Sequence, residues 1–309
     1  MTEYFFLFLG LAILLIGGKL LVDGASSLAV KLGLSTGVIG LTVVAFGTST
    51  PELLVSVYAA LNGNADISIG NVLGSNIANL ALVLGITGLI YPILISRTHL
   101  RFDYPVMILT SGLLFIFALN LEISFWEGLL LFLGFLGFNI FLFKDANGGK
   151  TVENEEHDGI KEYSWPLSIS FLLLGILGLY FGSELLVTNA VNISRTFGIS
   201  ERIIGITIIA IGTSLPELIA SIFAALKRRT DLAMGNLLGS NIMNVLSIIG
   251  ITALFKPISI SELFIQTDFI WMLGISLLLF PLMKTRMRIS KVEGIILLLC
   301  YAAYLYFLI

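Results

Sequence analysis

An internal duplication is the feature that most constrains how this chain can fold. Residues 47–53 (GTSTPEL) recur as residues 212–218 (GTSLPEL), and residues 70–79 (GNVLGSNIAN) recur as residues 235–244 (GNLLGSNIMN). The offset between the copies stays at 165, without a gap, over residues 17–92 of the first copy. Because duplicated units adopt related structures, equivalent residues should occupy equivalent environments in the two copies.

The composition of the chain is that of a membrane protein. Of its 309 residues, 57% are hydrophobic and only 12% are charged, whereas soluble domains average roughly 25% charged residues. Apolar stretches long enough to cross a bilayer as helices follow one another along the chain. We therefore predict an all-α membrane protein with ten transmembrane helices. They are expected at residues 4–31, 37–61, 67–90, 102–119, 123–143, 165–194, 202–226, 232–255, 263–282 and 291–309.

The distribution of lysine and arginine predicts how the helices are oriented. Basic residues concentrate in the connections that follow odd-numbered helices, for example at Lys144 and Lys161 and at residues 227–229. Under the positive-inside rule these connections are cytoplasmic. Both termini are then extracellular, and the chain is expected to be a multi-pass protein of the plasma membrane.

Five helices separate one copy of the repeat from the next, so the second copy should enter the membrane from the opposite side. This parity predicts two inverted five-helix repeats, an arrangement found in many secondary transporters. Channels and membrane enzymes also contain repeats, so the parity argument favours transport but does not by itself establish it. The expected units are a first repeat at 1–143 with its motif at 37–90, a cytoplasmic linker at 144–163, and a second repeat at 164–309 with its motif at 202–255.

One acidic residue per copy lies near the middle of a predicted helix, at a depth where ionisable groups are costly and usually functional. In the first copy this residue is Glu52, which follows Pro51. Proline has no amide hydrogen, so the Gly47 carbonyl loses its helical partner, and Gly47 itself permits local unwinding. Ser49 lies three residues before Glu52 and should share its face. The second copy repeats this arrangement around Glu217.

The helix that follows each acidic motif adds oxygen atoms at helical spacing. Asn71, Ser75 and Asn79 should form one polar stripe, and the second copy repeats it. Together with the two carboxylates, these groups make an oxygen-only site that suits hard cations such as calcium or sodium. For a single copy, helix packing would be the simpler explanation of such residues. Duplication, proline and polar stripes together favour a binding site.

Two further charges occupy equivalent positions in the copies, Lys19 and Glu184. They either pair across the pseudo-two-fold axis or, as we favour, each extends towards the membrane surface or bonds locally. Asp23 has Thr188 as its counterpart and is expected at the membrane interface. The chain contains no phosphate-binding loop, which argues against an ATP-driven pump.

At the paired GTSxPE and GNxxGSN motifs the chain resembles the sodium/calcium exchanger family of the cation/calcium antiporter superfamily. The resemblance covers nearly the whole chain and implies exchange of Na⁺ for Ca²⁺ by alternating access around a mid-membrane site. It also implies that helices 1 and 6 form a long pair that slides to open either side. The implied ligands are the carbonyls of Ala45, Thr48, Ala210 and Thr213 and the side chains of Ser49, Glu52, Ser75, Asn79, Ser214, Glu217, Ser240 and Asn244.

The chain departs from the family pattern in two places. Asn244 stands where sodium/calcium exchangers commonly carry an aspartate, so ion stoichiometry and proton sensitivity are open. The linker at 144–163 is too short for the regulatory domains of animal members, which predicts a compact prokaryotic type.

The leading functional hypothesis is a sodium-driven calcium antiporter. A proton/calcium or other divalent cation antiporter is the alternative, and a cation channel is more distant. An enzyme is not expected, because Ser49 and Ser214 have no positioned histidine or lysine base. No cofactor, nucleic acid or obligate protein partner is expected; the expected partners are the lipid bilayer and the transported ions.

Overall fold

The computed structural model describes residues 2–147, 160–198 and 210–308, and helices dominate this part of the chain. Ten helical segments occur there in the predicted order. They are α1 (Thr2–Leu32), α2 in two halves (Thr36–Thr48 and Thr50–Leu61), α3 (Ala65–Ile90), α4 (His99–Ala118), α5 (Phe125–Asn147), α6 (Trp165–Thr196), α7 in two pieces (Ala210–Thr213 and Leu215–Leu226), α8 (Thr230–Phe255), α9 (Glu262–Arg286) and α10 (Lys291–Leu308).

Most of these helices are long and apolar enough to cross a bilayer. Among the described residues, eight qualify alone, and α2 is a ninth when its two halves are taken as one bent span. The second piece of α7, Leu215–Leu226, is apolar but short. The predicted start of this helix, at 202, lies outside the described residues, as does most of the predicted linker.

Helices α1 and α6 pack along each other through glycines. A Cβ atom added to Gly17 would lie 2.7 Å from the Leu179 nitrogen, and one added to Gly182 would lie 2.6 Å from the Leu14 nitrogen. The two contacts are equivalent under the 165-residue offset, so a pseudo-two-fold axis passes through this interface. Residues without side chains are needed for backbones to approach so closely.

The inner part of the molecule is formed by α3 and α8. Buried residues make up 72% of the most apolar stretch of α3 and 89% of that of α8, against 22% for α5. Helix α8 packs closely on α2, since a Cβ atom on Gly235 would lie 2.4 Å from the Gly37 carbonyl oxygen. The polar motif of the second copy is thereby placed against the broken helix of the first.

Two pairs of very short antiparallel strands join the connections between helices. Strand β1 (Ile93–Leu94) pairs with β4 (Arg288–Ile289), and β2 (Glu122–Ile123) pairs with β3 (Ile258–Ser259). Strands β1 and β3 are equivalent under the offset, so the two pairs lie on opposite faces of the inverted repeat. The sequence analysis missed these strands, because two residues are too few to show an alternating pattern.

Candidate ion-binding site

Helix α2 is interrupted near the middle of its length. The interruption falls at Ser49, whose φ of −87° and ψ of 7° are not helical, and the two halves of α2 meet at 46°. Pro51 lies in the first turn of the second half, where its missing amide hydrogen costs least. The break lies two residues after Gly47, which was expected to permit local unwinding and which stays within the short helix Ala45–Thr48.

Helix α7 is interrupted at the equivalent residue, Ser214, with a φ of −88° and a ψ of 4°. Pro216 follows, so the Gly212 carbonyl has no helical donor. The Ser183 hydroxyl of α6 donates to this carbonyl at 2.9 Å. The position equivalent to Ser183 in α1 is Gly18, which has no hydroxyl, so the two breaks are held differently.

A hydrogen bond joins the two breaks. The Ser49 hydroxyl donates to Oε1 of Glu217 at 3.0 Å, so α2 of the first copy contacts the acidic residue of the second. Glu52 and Glu217 are both buried, each with 1% of its surface exposed. Two carboxylates of opposite repeats therefore lie in the protein interior at mid-membrane depth, where an uncompensated charge is costly.

The central helices change winding where they approach this region. Both contain a π-helical turn, Ala78–Val83 in α3 and Asn244–Ile249 in α8. The first includes Asn79 and the second begins at Asn244, two predicted site residues. Such wide turns inside α-helices occur frequently at functional sites.

Many buried polar atoms of the predicted site have no hydrogen-bond partner among the described residues. They are both carboxylate oxygens of Glu52, Oε2 of Glu217, the hydroxyls of Ser75, Ser214 and Ser240, both amide atoms of Asn79, and Oδ1 of Asn244. Buried polar groups are nearly always hydrogen-bonded, and each one left alone costs about 1–3 kcal/mol. The acceptor oxygens in this set therefore have free capacity for a cation.

The backbone carbonyls expected to bind ions lie at the two helix breaks. The Ala45 carbonyl accepts the Ser49 amide at 2.9 Å and the Thr48 hydroxyl at 3.3 Å. Ala210 and Thr213 begin and end the short helix before the second break. Each of these residues is thus placed within one turn of Ser49 or Ser214.

The first asparagine of each polar stripe holds helices together. The Asn71 amide donates to the Glu52 carbonyl at 3.1 Å and to the Ser56 hydroxyl at 2.9 Å. In the second copy, Asn236 donates to the Ser221 hydroxyl at 3.2 Å. Sequence reasoning missed the two serines, although their identity at equivalent positions was a usable signal.

Asn76 was also missed, and it orients a predicted ligand. Its amide donates to the Asn241 carbonyl at 3.3 Å, and its Oδ1 accepts the Asn244 amide at 3.0 Å. With its NH₂ group held in this way, the Asn244 side chain keeps its Oδ1 unpartnered. Asn76 is fully buried and is identical to Asn241 of the second copy, which was the available signal.

We expect Asn76→Ala to weaken ion binding without removing a proposed ligand. Losing the bond to Asn244 costs about 1–3 kcal/mol and frees its amide to turn. The half-saturating calcium concentration for transport should rise about tenfold. The control is Asn139→Ala, because the Asn139 amide donates to a carbonyl of its own helix, that of Phe135, at 2.9 Å and orients no proposed ligand. Equal calcium dependence in both variants would contradict the orienting role.

The donor set fits a hard cation better than a soft one. The described residues contain no group of three or more His, Cys, Asp or Glu side chains arranged to hold a metal ion. The predicted set instead combines two carboxylates with hydroxyl and amide oxygens. Two negative charges balance one divalent cation, and six to eight oxygens at about 2.3–2.6 Å are what calcium requires.

A cavity of about 260 Å³ leads towards the site from one side. It lies between the second half of α2, α6 and the first piece of α7, and its wall includes Pro51 and Thr213, the neighbours of Glu52 and Ser214. On the other side α1 packs against α7, since a Cβ atom on Gly18 would lie 2.5 Å from Cγ2 of Ile219. Among the described residues, the two repeats thus differ here: a cavity lies beside α6, whereas side chains of α7 pack against the equivalent position of α1.

The ten helices, the duplicated broken segments and the buried oxygen groups define a membrane transporter for cations. The chain matches the family model described as "Sodium/calcium exchanger protein" over residues 2–144 and 167–309. It therefore belongs to the sodium/calcium exchanger family, whose members are transporters and not enzymes.

Similar proteins cover nearly the whole chain. A proposed antiporter, CaxA of Alkalimonas amylolytica, is 40% identical over 98% of this chain and 97% of its own length. The sodium/calcium exchanger MaX1 of Methanosarcina acetivorans is 33% identical over 98% of this chain and 97% of its own. The solved structure of the sodium–calcium exchanger NCX_Mj superposes with a TM-score of 0.84 at 31% identity, covering 99% of each chain. The predicted family and fold class are confirmed.

Proposed function

We propose that this protein exchanges sodium for calcium by alternating access around the site between its two repeats. The observation that carries the proposal is the hydrogen bond of Ser49 to Glu217 between the two helix breaks. A second carboxylate, that of Glu52, is buried without a partner among the described residues. One site with two carboxylates and neutral oxygens accepts either one divalent ion or sodium ions, which compete for the same ligands.

The proposed ligands are those implied by the family resemblance. They are the carbonyls of Ala45, Thr48, Ala210 and Thr213 and the side chains of Ser49, Glu52, Ser75, Asn79, Ser214, Glu217, Ser240 and Asn244. The unpartnered buried oxygens among these side chains support the assignment. The two helix breaks support it further, because a broken helix at membrane depth is tolerated where it lines a cavity.

Sodium is the proposed driving ion because two relatives that match nearly the full chain, MaX1 and NCX_Mj, are named as sodium/calcium exchangers. Asn244 keeps a second candidate in place. Because position 244 carries an amide where the family commonly has an aspartate, the proposed site has only two carboxylates. This lower negative charge changes how many monovalent ions are exchanged for one calcium ion. Proton/calcium exchange is therefore the alternative outcome of the same experiment.

Ion flux into liposomes that contain the purified protein tests the function. Calcium uptake should require an outward sodium gradient and should stop when sodium is replaced by an equal concentration of choline. Uptake that follows an imposed proton gradient instead would support proton/calcium exchange. Calcium entry that needs no counter-ion would indicate a channel and contradict antiport.

The proposed orientation places both termini and Asn62 outside and residues 227–229 in the cytoplasm. We expect Asn62→Cys and Arg228→Cys, each in a Cys300→Ser background, to react from opposite faces of intact cells, because both native side chains are exposed at helix ends. The measurement is labelling by a membrane-impermeant maleimide before and after permeabilisation. Labelling of both positions from outside would refute the inverted arrangement.

A further inference from the structure

Lys19 of α1 and Glu184 of α6 are equivalent under the 165-residue offset but opposite in charge. Both are exposed, and the described residues record no ion pair for either. They do not neutralise each other across the pseudo-two-fold axis, which was one of the two expectations from sequence. Each charge is therefore free to act on whatever enters the space beside its own helix.

Glu184 faces the cavity that leads towards the ion site. Tyr180, Ser183 and Thr188 of the same helix line this cavity with it. Glu184 lies twelve residues before the end of α6 at Thr196, which is about 18 Å along a helix. A carboxylate at that depth is expensive in lipid, so the cavity is where it is hydrated.

At the equivalent position on the opposite face, side chains of α7 lie against α1. There, Gly18 of α1 packs against Ile219 and Phe223 of α7. Asp23, one turn beyond Lys19, forms an ion pair with Lys227. If an opening beside α1 replaces the opening beside α6 during transport, Lys19 and Asp23 border the new opening. Asp23 already pairs with Lys227 there.

The two entrances to the ion site therefore differ in charge. The entrance beside α6 carries the carboxylate of Glu184, whereas an entrance that opened beside α1 would carry the ammonium of Lys19. A cleft lined by one sign of charge raises the local concentration of ions of the opposite sign. Because this effect acts before the ion reaches Glu52 and Glu217, each entrance charge alters the apparent calcium affinity only on its own face.

We propose that Glu184 recruits cations at the entrance beside α6 and that Lys19 opposes cation entry beside α1, so that each charge tunes calcium access on its own face. The proposal rests on the proposed cation exchange. At about 10 Å in water, one charge changes the energy of a divalent ion enough to alter its local concentration about three- to tenfold.

A thiol-reactivity experiment tests the entrance charge without requiring transport. Thr188→Cys, in a Cys300→Ser background, places a thiol on the wall of the cavity beside Glu184. It should react faster with a cationic than with an anionic methanethiosulfonate reagent of similar size. Adding Glu184→Gln should lower this rate ratio about three- to tenfold, and raising the ionic strength should shrink the difference.

Calcium dependence measured separately on the two faces tests the consequence for transport. In vesicles of known orientation, Glu184→Gln should raise the half-saturating calcium concentration about three- to tenfold on the Asn62 face alone. Lys19→Gln should lower it on the opposite face. Glu262→Gln is the control, because Glu262 is exposed at the start of α9 and does not line the cavity.

The outcomes separate this proposal from the proposed function. An unchanged reagent ratio in the Glu184→Gln variant overturns the recruiting role, whether or not the protein transports calcium. The recruiting role is also overturned if Glu184→Gln lowers the reagent ratio but leaves the half-saturating calcium concentration on the Asn62 face unchanged. If the native protein shows no sodium-driven uptake, sodium/calcium exchange fails, while the reagent ratio still decides the charge of the entrance.

Discussion

Glu52→Gln and Glu217→Gln should each abolish sodium-driven calcium uptake while the protein still folds. Glutamine keeps the volume of glutamate but removes one of the two negative charges. A divalent ion in the site would then carry an uncompensated positive charge in a poorly hydrated interior, which costs more than binding returns. We expect a loss of at least a hundredfold in initial uptake rate, which corresponds to about 2.7 kcal/mol.

The control for this pair is Glu262→Gln, a carboxylate that is exposed at the start of α9 and is not a proposed ligand. Its uptake should match that of the native protein. Size-exclusion profiles and thermal stability of all three variants establish that they fold. Near-normal uptake in both site variants would refute a site that depends on two carboxylates.

Gly17→Val should damage both stability and transport. The first carbon of the new side chain would lie 2.7 Å from the Leu179 nitrogen and 2.8 Å from the Gly178 carbonyl carbon, which are backbone atoms that cannot turn aside. Helices α1 and α6 would have to separate, and forced overpacking of this kind costs about 1–3 kcal/mol. The checks are the melting temperature of the purified protein and its calcium uptake.

Gly112→Val is the matched control, because a Cβ atom on Gly112 of α4 meets no atom within 4 Å. It makes the same change of residue type inside a membrane helix but without a clash. Its melting temperature and uptake should stay close to native values. Equal effects of the two substitutions would mean that valine itself, and not the contact of α1 with α6, is responsible.

Much of the fold could be predicted from the sequence, because each helix is a long apolar stretch bounded by polar turns. The predicted helix 37–61 corresponds to Thr36–Leu61, and the predicted helix 165–194 to Trp165–Thr196. The 165-residue offset identified equivalent residues of the two copies, and the contacts of α1 with α6 follow it; the pairing of these helices was expected only from the family resemblance. The two short strand pairs had no comparable signal, since backbone pairing of two residues depends on where the neighbouring helices end.

The candidate site was predictable as a set of residues but not as a set of contacts. Sequence spacing relates residues on one helix, so it placed Ser49 beside Glu52 of its own copy. The structure instead pairs the Ser49 hydroxyl with Glu217 of the other copy. Similarly, the predicted stripe treated Asn71 and Asn79 alike, yet Asn71 bonds to the second half of α2 while the Asn79 amide has no partner among the described residues. Both differences depend on how the helices are oriented relative to one another, and spacing along a single helix does not contain that information.

The strand pairs distinguish helices whose connections are joined to each other from helices whose connections are not. Strands β1 and β4 fasten the connection after α3 to the connection before α10, and β2 and β3 fasten the connection after α4 to the connection after α8. None of these four described strands adjoins α1 or α6. The strands adjoin six helices, α3 to α5 and α8 to α10, which include the ligand-bearing central helices α3 and α8. If α1 and α6 move during transport, these six helices can keep their positions relative to one another. Ion selectivity and cycling speed should then be separable traits, adjustable by substitutions in different parts of the chain.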